Sequence, residues 1–344
     1  MNKVKLLIKN LVGDELSATL GKIRSYYSKL LGIIFNTYKD GELFCKHSMV
    51  FNQNTFNKIE SRIILHYHGL EKGFLHEDFK YRFAEDRIRE LIKLLRNEEV
   101  CKNRNKSQIA SAYLAICKYY EKHMADGIEI SDYYKKEDYE YFKNLSILDL
   151  ELTKEQNRTD FFNNIQSNFL NFANSRASVR SFTGEKISYE LISKVIELAK
   201  TAPSVCNRQP IKVYYVDNKE KVERILRLQN GLTGYSNEIS QLLILVADRN
   251  YFYSIGERNQ LYIDGGIFLM NLLYALHYYE IGACPAHWAF NYKYDQKLQK
   301  QISLRDSEKV ICLIPIGVPK EVFRTTLSLR RNNEEILLMV NDCS

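Results

Sequence analysis

Two arginines and a serine stand at alternate positions in Arg176-Ala177-Ser178-Val179-Arg180. Arginine offers a planar fork of donors that fits phosphate oxygens, and the hydroxyl between them adds another donor. The chemistry these residue types suggest is the holding of an anion. Further on, Ala202-Pro203-Ser204-Val205-Cys206-Asn207-Arg208-Gln209-Pro210 places amide and hydroxyl groups on a loop bracketed by prolines. For each arginine the alternative is a surface salt bridge.

A second group lies near the amino end. His66, His68 and His76 sit with Glu71 and Lys72 in Ile63-Ile64-Leu65-His66-Tyr67-His68-Gly69-Leu70-Glu71-Lys72-Gly73-Phe74-Leu75-His76. On a strand His66 and His68 would share one face. The cluster fits either substrate contact and acid–base work, or a polar turn at Gly69 and Gly73 whose His and Glu satisfy backbone groups. No Cys or second carboxylate stands at a ligand-like spacing, so no metal site is expected.

Several chemistries are excluded. No G-x-G-x-x-G follows a strand, and there is no P-loop or H-E-x-x-H. No Ser-His-Asp assembly is readable. The 7 Cys, an odd number without a C-x-x-C pair, suit reduced thiols in a cytoplasmic protein. The amino end shows no secretory pattern. No uncharged apolar run approaches the ~18–20 residues of a membrane span. The net charge of +7 comes from 49 basic and 42 acidic side chains mixed in sign, which suits a solvated surface rather than nucleic acid. Residues 129–143 combine Tyr with Lys, but the acidic side chains among them argue against a nucleic-acid face.

These residues need elements to hold them. Residues 1–45 have a helical period in Leu6, Leu7, Leu11, Leu16, Leu20, Ile23, Leu30 and Leu31, interleaved with basic residues. Such a stripe suits packing on its own domain or peripheral contact with a membrane. Helical patterns recur at 83–95 and 107–124. The polar stretch 152–160 is the expected linker, which divides the chain into a mainly helical region, 1–158, and a second domain, 159–344. There a helix is expected over 161–173. Ser188 is placed to cap the next helix, and Pro203 to stop it. Strands are expected at 211–216, 242–247 and 310–318, the middle one buried on both faces. Asp217-x-x-Glu220 marks a helix start. Residues 263–279, apolar nearly all round, call for a fully buried helix or a subunit interface, with Gly282 placed to end it in the left-handed conformation. The pattern is α+β.

Taken in order and spacing, R-x-S-x-R, A-P-S-x-x-N-x-Q-P, Gly282-Ala283-Cys284 and the late Arg330 resemble the nitroreductase-like FMN-dependent oxidoreductase family, over about residues 170–340. The resemblance implies a sandwich with a mostly antiparallel central sheet flanked by helices. It implies that Arg176 and Ser178 hold the FMN phosphate and that Arg180 faces the pyrimidine edge. A guanidinium there would stabilise the reduced flavin's charge. Pro203, Ser204, Asn207 and Gln209 would reach the flavin of the opposite subunit, which implies a homodimer. Gly282, Ala283 and Cys284 would bring backbone amides near the ring, the thiol itself being packed. Arg330, with Arg331 as its substitute, would be a further phosphate ligand.

The implied reaction is ping-pong hydride transfer from NAD(P)H to a small organic acceptor, with no obligatory protein acid or base. Ile211 stands where the family often has an aromatic, and Arg330-Arg331-Asn332-Asn333-Glu334-Glu335 departs from its usual tail. The H-x-x-E-K-G-x-L stretch, His68 to Leu75, is similar to that of nitroreductase-like proteins linked to bacterial surface-polysaccharide synthesis. This leaves a second expectation, a flavin-fold binding or assembly protein in such a pathway with little turnover.

Overall fold

The computed structural model describes residues 14–47, 51–52, 55–229, 231–232, 234–252, 254–288, 290 and 292–339. Helix α1 (Asp14–His47) presents Leu16, Leu20, Ile23, Leu30 and Leu31 to solvent instead of packing them on its neighbours. It meets the second half of the chain where Arg258 forks onto Asp40 at 2.8 and 2.9 Å. The earlier part of the expected 1–45 helix, with Leu6, Leu7 and Leu11, lies outside the described residues.

Helices α2 (Phe56–Gly73), α3 (Glu85–Leu95), α4 (Glu98–Lys102), α5 (Ser107–Ala125) and α6 (Lys136–Leu145) enclose one core. Its centre is α5, where Ala and Ile pack tightly and Tyr113 and Tyr119 are fully buried. A buried tyrosine needs a partner for its hydroxyl. Tyr119 Oη pairs with Tyr133 Oη at 2.9 Å, and Tyr113 Oη donates to the Leu95 carbonyl at 3.3 Å. The abundance of Tyr in this region is therefore a matter of packing. Helix α2 runs unbroken through Gly69, so the expected polar turn there is a helix face. The period of Ile59, Ile63, Tyr67 and Leu70 sets it.

The stretch expected to be a linker is strand β1 (Thr153–Asn157) and helix α7 (Arg158–Phe162). β1 pairs antiparallel with β7 (Val322–Thr326), Thr153 opposite Thr326. A two-stranded ribbon buries little, which explains its polar composition. The helix expected over 161–173 is broken, because Asn168 Oδ1 accepts from the Asn171 amide at 3.0 Å and starts a new helix, α8 (Phe169–Ser175).

The main sheet runs β2 (Ile211–Val216), β3 (Gln241–Asp248), β6 (Glu308–Gly317), β4 (Gly282–Ala283), all antiparallel, with β5 (Ala286–His287) also on β6. β3 (Gln241–Asp248) is buried along its whole length, as expected of a central strand. Its side chains alternate between two cores. Leu243 and Leu245 face α9 (Tyr189–Ala199) and α11 (Gln260–Tyr278). Leu242, Ile244 and Val246 face α10 (Lys219–Gln229) and α12 (Tyr292–Ile302). The result is an α+β sandwich, three layers thick. Ser188 caps α9 as expected, accepting from the Leu191 amide at 3.2 Å. α10 starts one residue later than expected, capped by Asn218, whose carboxamide oxygen accepts from the Lys221 amide at 2.9 Å.

Helix α11 is buried on one face only: Tyr262, Ile263, Ile267 and Met270 are exposed. Of the two expectations for it, full burial is excluded within one chain. It ends before Gly282, and the left-handed residue there is Glu280, φ 58°. Gly282 sits in β4 (Gly282–Ala283) for another reason. A Cβ there would lie 2.8 Å from Pro319 Cγ, 3.1 Å from Val179 Cγ1 and 3.2 Å from the Gly317 carbonyl oxygen.

Candidate functional site

The chain leaves α8 at Arg176 and runs extended along the sheet edge. The Val179 amide donates to the Ala283 carbonyl at 3.0 Å, and Phe182 bridges to Pro319. Val179 and Phe182 are buried in the core, which anchors the segment. Arg176, Ser178 and Arg180 therefore turn together into one cleft of about 1000 Å³. Ala177 lines the same cleft, and Val179 is the residue of the segment that turns into the core. The far wall comes from the end of β7 and the tail beyond it, Thr325 to Ser328 and Arg330. β1 adds Lys154 and Gln156, and α2 adds His68.

Arg176 is half-buried. Burial, and then the charge of Arg330, push its guanidinium below the ordinary arginine range. Among the described residues no carboxylate forms an ion pair with Arg176, Arg180 or Arg330. The last two make only local contacts: Arg330 donates to the Ser328 carbonyl at 2.7 Å, and Arg180 to the Ser178 carbonyl at 3.4 Å. Among the described residues Asp160 is the one carboxylate on the cleft wall. Cations gathered without counter-charges favour an anion between them. A phosphate suits the two forks at Arg176 and Arg330, and Ser178 lies beside them as a hydroxyl donor.

Arg331, the expected substitute for Arg330, is engaged elsewhere: it forks onto Glu60 at 3.1 and 2.8 Å and reaches Glu335 at 3.2 Å.

Beneath Arg176 lies a residue that sequence patterning missed. His277, on α11, is buried among the rings of Phe161, Phe162 and Phe172, with centroids 5.1 to 5.5 Å away. Its Nε2 is 2.8 Å from Ser175 Oγ. That hydroxyl donates to the Phe172 carbonyl at 2.8 Å, so its oxygen accepts from the imidazole. Burial, then the nearby Arg176 charge, bring His277 down to about 4. The ring is neutral and leaves the cation above it uncompensated. Its only signal in the sequence is a lone His in the last turn of an apolar helix.

The amino-terminal cluster divides. His68 Nδ1 lies 2.8 Å from Oε2 of the buried Glu71, and the ring lines the cleft. Lys72, half-buried at the end of α2, lies close to Arg180. Burial and then that like charge lower its ammonium pKa. Its carbonyl accepts from Tyr235 Oη at 2.9 Å, and His76 stacks on the Tyr235 ring at 4.4 Å. His66 does not join the cleft. Both its ring nitrogens are buried without a hydrogen-bond partner, and its charged form is opposed first by burial and then by Arg87 and Arg62.

The Pro203–Pro210 loop also lies apart from the arginine cleft. Pro203, Ser204 and Gln209 line a second cavity of about 670 Å³, between α9, β2 (Ile211–Val216) and α11. The loop is tightly built. Cys206, Asn207 and Gln209 take left-handed φ of 49°, 54° and 49°. Ser204 Oγ accepts from the Gln209 amide at 2.9 Å, and Arg208 forks onto Glu257 at 3.0 and 2.7 Å. Three non-glycine residues in that region are costly and mark a conformation imposed by its surroundings. Asn207 and Gln209 are exposed, their side chains bonded to each other at 3.1 Å.

Gly282, Ala283 and Cys284 are buried behind the Arg176–Arg180 segment. The Cys284 amide donates to the Pro315 carbonyl at 3.2 Å and is already used. Burial raises the pKa of the Cys284 thiol, which is packed and inert. Among the described residues no group of His, Cys, Asp and Glu is arranged to hold a metal ion, and no helix is long and apolar enough to cross a membrane.

Residues 173–238 match the model of the Nitroreductase family. That stretch holds both the arginine segment and the Pro-bracketed loop. A curated relative from Bacillus subtilis (strain 168), named FMN reductase (NAD(P)H), is 33% identical over 73 residues. The alignment spans 21% of this chain and 29% of that protein, so less than a third of the relative's length is matched. Among solved structures, a nitroreductase-like protein from Streptococcus mutans superposes with a TM-score of 0.44 at 21% identity, over 52% of this chain and 100% of that one. An FMN-dependent nitroreductase from Clostridium difficile gives 0.40 at 18% identity, over 50% and 98%.

Proposed function

We propose that this chain is a nitroreductase-like flavoprotein that binds FMN and passes reducing equivalents from NAD(P)H to a small organic acceptor. The observation that carries the reading is the convergence of Arg176, Arg180 and Arg330 on one cleft with no ion-pair partner among the described residues. The residues present fit the group. Arg176, Ser178 and Arg330 would hold its phosphate, and Arg180 would face the electron-rich edge of its ring. When bound, FMN supplies the hydride chemistry.

The protein's own part is to bind, orient and shield. Phe161, Leu273 and Pro285 give the cleft apolar surface against which a ring can lie. His68, held by Glu71, and Lys72 stand on α2 beside Arg180, where the helical region would bound the acceptor site.

The same reading makes the protein a homodimer. Two features support this: the exposed apolar face of α11 and the preformed loop at 203–209, whose Asn207 and Gln209 face solvent. That loop would complete the partner's cleft.

The test is reconstitution of the purified protein with FMN, followed by anaerobic addition of NADH or NADPH. The reading expects a yellow protein whose visible band bleaches. A protein that takes up no FMN rejects it. A yellow protein that neither nucleotide bleaches rejects turnover and leaves a binding or assembly role.

A further inference from the structure

Arg330 reaches the cleft from a tail whose course is fixed by the helical region. After β7 the Leu327 amide donates to the Leu152 carbonyl at 3.1 Å. Ser328 takes a left-handed φ of 45°, which turns the chain sharply. Gln108 Nε2 then donates to the Leu329 carbonyl at 3.2 Å, and Gln108 is itself oriented by Tyr67 Oη at 2.5 Å.

On the other side of Arg330, Arg331 forks onto both oxygens of Glu60 at 3.1 and 2.8 Å. Glu60 lies on α2 with only 4% of its surface exposed. A carboxylate that buried is tolerated because the fork satisfies it. Arg331 also meets Glu335 at 3.2 Å, and Glu335 accepts from the Ser107 amide and hydroxyl at 3.0 and 3.1 Å, at the N-terminus of α5. The residues on both sides of Arg330 are thus pinned to α2 and α5. Arg330 itself is exposed, and the charge of Arg176 opposes its approach. Its side chain holds only to the Ser328 carbonyl of its own tail, so its place at the cleft follows the course of that backbone.

We propose that Glu60, Arg331 and Glu335 form a clamp through which the helical region positions Arg330 for the ligand's phosphate. The clamp makes that region part of the grip on the anion. Its three members are positioning residues, for none of them lines the cleft. The inference rests on the reading of the cleft as an FMN site.

The test uses the full chain and two ligands, FMN and riboflavin, which lacks the phosphate. Glu60→Gln and Arg331→Gln should each weaken FMN about tenfold, the loss of roughly one charge-assisted contact. Riboflavin affinity should not change. The double variant should be no weaker than either single one, since both break one unit, and Arg331→Lys should recover part of the loss. Glu335→Gln leaves the Glu60–Arg331 fork in place, and its smaller loss should have the same sign.

Without any flavin, amide hydrogen exchange across residues 327–336 should be faster in Arg331→Gln than in the wild type. Unchanged FMN affinity with unchanged exchange overturns the clamp, as does an equal loss for both ligands. Wild-type protein that binds neither ligand rejects the flavin reading itself, a result separable from a failure of the clamp alone.

Discussion

The guanidinium of Arg330 lies close enough to Arg176 to oppose its charge, although the two are far apart in the chain. Such a like-charge pair costs the protein stability unless an anion joins it, as the proposed FMN phosphate would. Arg330→Gln is therefore expected to act in opposite directions. It should weaken FMN about 10- to 100-fold, the range of one charged contact. The flavin-free protein should melt no lower than wild type, and higher by at most about 0.5 kcal/mol of relieved repulsion at this exposed position. Melting curves with and without FMN measure both. A clear fall in the stability of the flavin-free variant would mean that the contacts of Arg330 in the fold, such as its bond to the Ser328 carbonyl, outweigh the repulsion.

His277 ties stability to pH. Its folded pKa of about 4 lies below the ordinary imidazole value of about 6.5. The unfolded chain therefore takes up the proton first as pH falls. The stabilisation is complete above about 6.5, declines as pH drops, and is gone below about 4, an effect of up to about 3 kcal/mol. Carboxylates also titrate at the lower end, so the comparison must be made against a variant. Urea unfolding of wild type and His277→Gln between pH 7.5 and 4.5 should show the steeper loss in the wild type. Parallel slopes would mean that the imidazole takes up its proton equally readily in the folded and unfolded chain.

Gly282 gives a steric test of the segment behind the cleft. In Gly282→Ala the new methyl meets Pro319, Val179 and the Gly317 carbonyl at 2.8 to 3.2 Å. Overpacking of this kind costs about 1–3 kcal/mol. Because Val179 lies between Ser178 and Arg180, the displacement should also weaken FMN binding. Thermal melting and a flavin titration of the same sample check the two effects. Wild-type values for both would show that the segment gives way freely.

The sequence revealed those parts of the fold whose causes are local. Arg176, Ser178 and Arg180 stand within five residues, and one short segment anchored by Val179 carries all three to the cleft. The unbroken apolar run of β3 is that of a strand covered on both faces. Ser188 is a cap whose geometry needs only three following residues. What escaped depends on distant partners. β1 is polar and shows itself as a strand only because β7 lies beside it. Arg330 and Arg331 are adjacent and alike; Glu60, from the other end of the chain, takes Arg331 and leaves Arg330 to the cleft. His277 looked like one more position of an apolar helix, and its significance comes from Ser175 and Arg176 above it. Gly282 is required by close packing against Pro319, Val179 and Gly317, which come from distant parts of the chain, rather than by a left-handed cap.

The most direct measurement of the central claim is a crystal structure of the protein reconstituted with FMN. The phosphate should lie between Arg176 and Arg330 and the pyrimidine edge at Arg180, with the 203–209 loop of a second copy closing over the ring. A phosphate bound away from both arginines, or a flavin lodged in the cavity beneath Pro203 and Ser204 of its own chain, would contradict it.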